Sequence, residues 1–99
     1  MDGGQVVGGS ATISSAPSTV TVNQQTNKAI INWQKFSIDA GETTRFNQPS
    51  ASSITLNRVT TQDPSRILGN LTANGQVWLV NPNGVYFGPN ATVDVSGLL

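Results

Sequence analysis

Hydrophobic and polar positions alternate along most of this chain in short bursts, and the period is two. Ala11-Thr12-Ile13-Ser14 is the first burst, and Thr19-Val20-Thr21-Val22-Asn23 follows with both valines on one face. In Lys28-Ala29-Ile30-Ile31-Asn32-Trp33, the residues Ala29, Ile31 and Trp33 share a side. Phe36-Ser37-Ile38, Thr44-Arg45-Phe46 and Ile54-Thr55-Leu56 repeat the pattern, and Val93-Asp94-Val95 closes it. Gln76-Val77-Trp78-Leu79-Val80 is apolar on both sides, which predicts a strand covered on both faces. No window places apolar residues at helical spacing. Turn chemistry separates the bursts: Asp39-Ala40-Gly41, Asn74-Gly75 and Asn83-Gly84 tolerate positive φ, and Gly88-Pro89-Asn90 presets a bend. Asp63-Pro64-Ser65-Arg66 predicts one helical turn, with Asp63 as N-cap and Pro64 at the first position.

Similar blocks recur at a spacing of roughly 20 residues, which points towards a solenoid. Ser53-Ile54-Thr55-Leu56-Asn57 compares with Gln76-Val77-Trp78-Leu79-Val80-Asn81, and then with Ala91-Thr92-Val93-Asp94-Val95. Asn at a tight corner of such a coil can bond backbone, or the same residue one coil away. The same strands and turns also fit an antiparallel sandwich, and pattern alone leaves both open.

Composition narrows function more than fold. The chain has 99 residues and a mass of 10.4 kDa, enough for one domain. Five Lys+Arg balance five Asp+Glu, and charged residues make up only 10%. No basic face for nucleic acid, no polybasic membrane tether and no acidic tail can be built from that. With His 0 and Cys 0, zinc sites of the Cys/His type, Ser-His-Asp or Cys-His catalysis and disulfides are excluded together. No cofactor or metal is expected. Asn, Ser, Thr and Gly fill 41 of the 99 positions, so the polarity is uncharged and favours strands and turns over disorder. No apolar run approaches the ~18–20 residues that span a bilayer, so membrane insertion is not expected. Met1-Asp2-Gly3-Gly4 lacks the charged and apolar regions of a signal peptide, as in an exported chain whose signal has been removed.

The stretch from Ser65-Arg66-Ile67-Leu68-Gly69 through Asn81-Pro82-Asn83-Gly84-Val85 to Gly88 is distinctive. It resembles the N-terminal secretion domain of filamentous-haemagglutinin-type exoproteins, the two-partner secretion (TPS) family. The hallmark is Asn-Pro-Asn-Gly followed by an aliphatic residue. Upstream, Gly3-Gly4-Gln5-Val6-Val7, Ile30-Ile31-Asn32-Trp33 with Phe36-Ser37-Ile38, and Leu56-Asn57-Arg58-Val59 follow in family order. The resemblance implies an all-β, right-handed parallel β-helix with an N-terminal capping segment. Residues 1–25 would supply the cap and first strands, and residues 26–99 the β-helix coils. It also implies a domain about twice this length, of which this chain is the N-terminal half. The partner implied is an outer-membrane β-barrel transporter whose periplasmic POTRA domains capture the secretion domain. The passenger would be an adhesin, haemolysin or toxin, released or held at the bacterial cell surface after crossing the periplasm.

The candidate site is therefore the Asn81-Pro82-Asn83-Gly84-Val85 segment, read either as transporter contact or as folding turn. Proline pushes Asn81 to extended geometry, and Asn83 and Gly84 absorb unusual dihedrals, so turn chemistry accounts for every residue. Trp33, Trp78, Phe36, Phe46, Tyr86 and Phe87 could form a sugar-binding platform, as in an adhesin surface. Burial in a small core is the plainer reading, with one of Tyr86 and Phe87 outside. Parallel β-helices also carry polysaccharide-cleaving sites, but Asp39 and Glu42 are the only close acids, and they flank a turn. Arg58 could pair with an acid on a neighbouring coil, but a solvated side chain is the default, since surface pairs contribute little. A third role is structural: open solenoid ends expose unpaired strands, which predicts homo-oligomers, and four to five coils, near the minimum for a solenoid, predict marginal stability in isolation.

Overall fold

A computed structural model describes residues 1–99 as twelve strands and no helix. In chain order these are β1 (Gln5–Gly8), β2 (Ala11–Ala16), β3 (Thr19–Gln24), β4 (Lys28–Trp33), β5 (Thr43–Asn47) and β6 (Ile54–Val59). They continue with β7 (Ser65–Ile67), β8 (Asn70–Ala73), β9 (Gln76–Val80), β10 (Val85–Phe87), β11 (Thr92–Asp94) and β12 (Gly97–Leu98). Three walls result. One has the order β2-β3-β5-β8-β11, the second β1-β4-β6-β9-β12, and the third joins β7 to β10. A single parallel bridge from Ile38 to Ile67 extends the third wall back by one coil.

Every pairing from β3 onward is parallel, which resolves the choice between sandwich and solenoid. Thr19 lies opposite Thr43, Thr43 opposite Asn70, and Asn70 opposite Thr92, so each residue returns above itself after one coil. Coils of about 20–27 residues separate equivalent positions. Three coils are complete and β11 and β12 begin a fourth, fewer than the four to five expected. The cost in length is the cap: β1 runs antiparallel to β4, and β2 antiparallel to β3, closing both edges of the first coil.

The interior is lined by alternate residues of the three walls. Val22, Ile31, Trp33, Phe36, Ile38, Phe46, Val59, Ile67, Leu71 and Val77 form one buried cluster. Trp33 meets Phe36 edge-on with ring centroids 5.8 Å apart, and Phe36 lies nearly parallel to Phe46 at 6.5 Å. Each such ring contributes roughly 1.5–3 kcal/mol through burial. As the alternation predicted, Ala29, Ile31 and Trp33 all point into the lumen.

Four expectations give way to the geometry. Asp63–Arg66 forms no helical turn, because coil-to-coil bonds take the amides: Ser65 N–H donates to Gly84 O, and Arg66 N–H to Ser37 Oγ. The β9 strand is covered on one face only. Val77 is fully buried, whereas Val80 is 51% exposed, since a solenoid wall has solvent on its outer side. Trp78 points outward there, in register with Leu56 and, one coil earlier, Ile30. The Ala91–Val95 block stacks on β8 in the first wall instead of on β9, because too few residues separate it from β9 to complete a coil. Finally, Tyr86 and Phe87 are both exposed, at 52% and 42%. Phe87 stands opposite the buried Ile67, but no coil covers that side of it.

Candidate functional site

Pro82 has no N–H and cannot extend the β9 ladder, so the chain turns directly after Val80. The turn is closed from within. Asn83 N–H donates to Asn81 Oδ1 at 3.0 Å, and Gly84 N–H donates to Asn81 O at 3.1 Å. Gly84 sits at φ 103°, a region side-chain-bearing residues rarely occupy.

The same two asparagines then reach back one coil. Asn81 Nδ2 donates to Asp63 O and to Ser65 Oγ, both at 2.9 Å. Asn83 Nδ2 donates to Thr61 O at 2.9 Å. With Ser65 N–H bonded to Gly84 O, the turn is stapled to the Thr61–Ser65 corner by four hydrogen bonds. The donors of both asparagine amides are directed into the protein, and the Pro82 ring and Val85 side chain remain outward or at the open end. Val85 opens β10 opposite Ser65 and is 39% exposed.

Just inside this turn the lumen is uncovered. Leu79, Val85, Phe87, Leu98 and Leu99 line a wholly apolar hollow of about 240 Å³. The opposite end differs: β1 and β2 seal it, and the cleft beside them is polar, with Asp2, Lys35, Asp39 and Glu42 among its lining.

The remaining sequence candidates scatter. Asp39 and Glu42 hold their own turn, with Glu42 N–H donating to Asp39 O at 3.0 Å and Asp39 N–H to Glu42 Oε1 at 3.3 Å. No three acids gather anywhere in a metal-binding arrangement. Arg58 Nε donates to Asn32 Oδ1 at 3.0 Å, so its partner across the coils is an amide and not an acid. Trp33 is buried, with Nε1–H donating to Asn57 Oδ1 at 2.9 Å. Trp78 is half-buried on the outer wall, and Nε1–H donates to Gln76 Oε1 at 3.3 Å. Corner asparagine bonding does occur: Asn47 Nδ2 donates to Asn23 Oδ1, one coil away, at 3.0 Å.

One set of polar residues escaped the sequence reading. Gln24, Gln48, Thr55 and Asn57 are buried inside the lumen. An available signal was the repeated Asn-Gln at positions 23–24 and 47–48, with Asn74-Gly75 at the third return.

The family model described as the TPS secretion domain matches residues 1–99. A heme/hemopexin-binding protein of Haemophilus influenzae is 43% identical over 96 residues, 97% of this chain and 11% of the relative. A second heme/hemopexin-binding protein of that species is 42% identical over 80 residues, 81% of this chain and 9% of the relative. The crystal structure of the HMW1 secretion domain from Haemophilus influenzae superposes with a TM-score of 0.93 at 38% identity. It matches 98% of this chain, which spans 26% of the solved one. The chain therefore spans about a tenth of the curated relatives and about a quarter of the solved domain.

Proposed function

Since the chain belongs to the family of TPS secretion domains, we propose that it is the non-catalytic module that targets a large exoprotein to its outer-membrane barrel transporter. The passenger is an adhesin, haemolysin or toxin, and the module seeds β-helix folding from its capped end. Exoproteins of this family are secreted by the two-partner route, and this one reaches the cell surface or the medium through the periplasm. The observation that carries the reading is the match of the family model to the entire chain, together with the TM-score of 0.93 to the HMW1 secretion domain.

Within that role, Asn81, Pro82, Asn83, Gly84 and Val85 act as a folding latch. Their polar atoms are engaged by the Thr61–Ser65 corner, which supports a role in coil closure ahead of direct transporter contact. Titration of the chain against the periplasmic POTRA domains of its transporter tests both parts. Saturable binding is expected for the wild type, and Asn83→Ile is expected to keep it. Binding lost in an Asn83→Ile chain that remains folded would make the turn a contact. Failure of the wild type to bind would overturn recognition by this segment.

For this 99-residue segment by itself, a second reading is self-association. Val85, Phe87 and Leu98 are exposed where β10, β11 and β12 each lack a neighbour on one side.

A further inference from the structure

We infer that the three coils are coupled through a chain of buried side-chain hydrogen bonds, so that the third coil stabilises the first without touching it. Gln24 ends β3, Gln48 follows β5 at the equivalent corner one coil on, and Gly75 occupies that corner in the third. Gly75 N–H donates to Gln48 Oε1 at 2.8 Å, and Gln48 Nε2 donates to Gln76 O at 2.8 Å. The third coil thus fixes the orientation of the Gln48 amide. The remaining Nε2 hydrogen goes to Thr55 Oγ1 at 3.0 Å. Thr55 has one hydroxyl hydrogen, and it is given to Gln24 Oε1. Gln24 Nε2 in turn donates to Thr26 O and Ile54 O, fastening the first coil to the second.

A parallel path runs through Asn57. Its Oδ1 accepts from Trp33 Nε1, and its Nδ2 donates to Trp78 O at 3.2 Å. Gln24 and Gln48 are at most 7% exposed, and Thr55 and Asn57 are fully buried, so water replaces none of these bonds in the folded state. A solenoid ordinarily couples nearest neighbours only, and its ends fray coil by coil. Here each group in the relay is oriented by the next, and such networks strengthen beyond pairwise contacts.

The consequence rests on the secretion reading. A module of this kind stays extended, and hence transportable, until the segment through Trp78 is available, and then forms as a unit. Native-state hydrogen exchange on the whole chain tests the coupling without a transporter, so its outcome is independent of the binding result. In the wild type, the slowest amides of β4, β6 and β9 are expected to exchange at a common protection factor. Gly75→Ala places a methyl 2.8 Å from both Gln48 Oε1 and Ser53 O, which displaces the Gln48 amide. It is expected to accelerate β4 exchange by about tenfold or more, and Thr55→Val, which removes the relay hydroxyl, is expected to reduce that acceleration at least threefold. A spread of more than about tenfold between β4 and β9 in the wild type would overturn the coupling, even if neither variant folds. So would Gly75→Ala acceleration of β4 that is unchanged by Thr55→Val.

Discussion

The capped and the uncapped side of these 99 residues are built from the same kinds of strand and differ in what lies over them. At the N-terminal end β1 and β2 reverse direction and pair antiparallel with the first coil. Val22, Trp33, Phe36 and Phe46 beneath them are at most 1% exposed. At the C-terminal end the walls stop at β10, β11 and β12, and Phe87, which faces the lumen in register with Ile67, is 42% exposed. Orientation is therefore the same for Phe46 and Phe87, and only the presence of a covering layer separates them. In a solenoid, burial is a property of the neighbouring coil as much as of the residue.

Paired substitutions turn that contrast into numbers. Phe46→Ala is expected to cost about 3–5 kcal/mol, the range for a fully buried aromatic ring. That is a large part of the stability of a domain this small, where roughly 5–15 kcal/mol is usual. Phe87→Ala, at the uncovered end, is expected to cost about 1–2 kcal/mol, because about two-fifths of its surface was never removed from water. Urea titrations followed by tryptophan fluorescence, at concentrations low enough that the segment is monomeric, give both values. Equal costs would show that the open end is covered in solution.

The same contrast separates what could be read in the sequence from what could not. Alternation in Ala29-Ile30-Ile31-Asn32-Trp33 was legible because β4 is paired on both sides, by β1 and β6, and its inward residues are all apolar. Asn81–Gly84 was legible because each residue answers a backbone demand of its own. The third wall was not: Ser65-Arg66-Ile67 is a three-residue strand behind an Asp-Pro pair, and its strand character comes from Gly84 and Ser37 on other coils. Gln48 and Asn57 were hidden because alternation assigns polar residues to the outside. Their burial depends on partners 20 or more residues away, such as Gln76 O at a separation of 28 and Trp78 O at 21. Of Tyr86 and Phe87 one was expected inside; the register puts Phe87 there, and it is exposed because no layer within these residues covers it.

Two glycines carry the comparison to the backbone. Gly9, between β1 and β2, has φ 69°, and an added Cβ would lie 2.2 Å from Lys28 O. Gly84 has φ 103°, but an added Cβ there meets nothing within 4 Å. Both replacements by alanine incur the strain of a left-handed backbone, about 1–3 kcal/mol. Only Gly9→Ala adds a backbone clash in the cap, so it is expected to exceed Gly84→Ala by about 1 kcal/mol or more. Thermal or urea midpoints of the two variants decide it. A larger effect at Gly84 would make the latch, and not the cap, the tighter piece of backbone.

The smallest effect on stability is expected where the effect on association is largest. Phe87→Lys puts a charge beside Leu79, Val85 and Leu98 at the open mouth, where a long side chain can extend into water. Stability is expected to change by no more than about 1 kcal/mol, because the lysine stem covers part of the apolar surface that the ring leaves. The unpaired, apolar edges of this 99-residue segment by itself, by contrast, favour pairing with a second copy. The capped end is polar and closed by antiparallel strands, so a mouth-to-cap contact buries little, whereas mouth-to-mouth contact is self-complementary and ends at two copies. Sedimentation velocity at micromolar concentration is therefore expected to show wild-type dimers and a Phe87→Lys monomer. Growth of the wild type into longer fibres would mean that the cap also accepts strands, and the two ends would then differ in residue chemistry but not in closure.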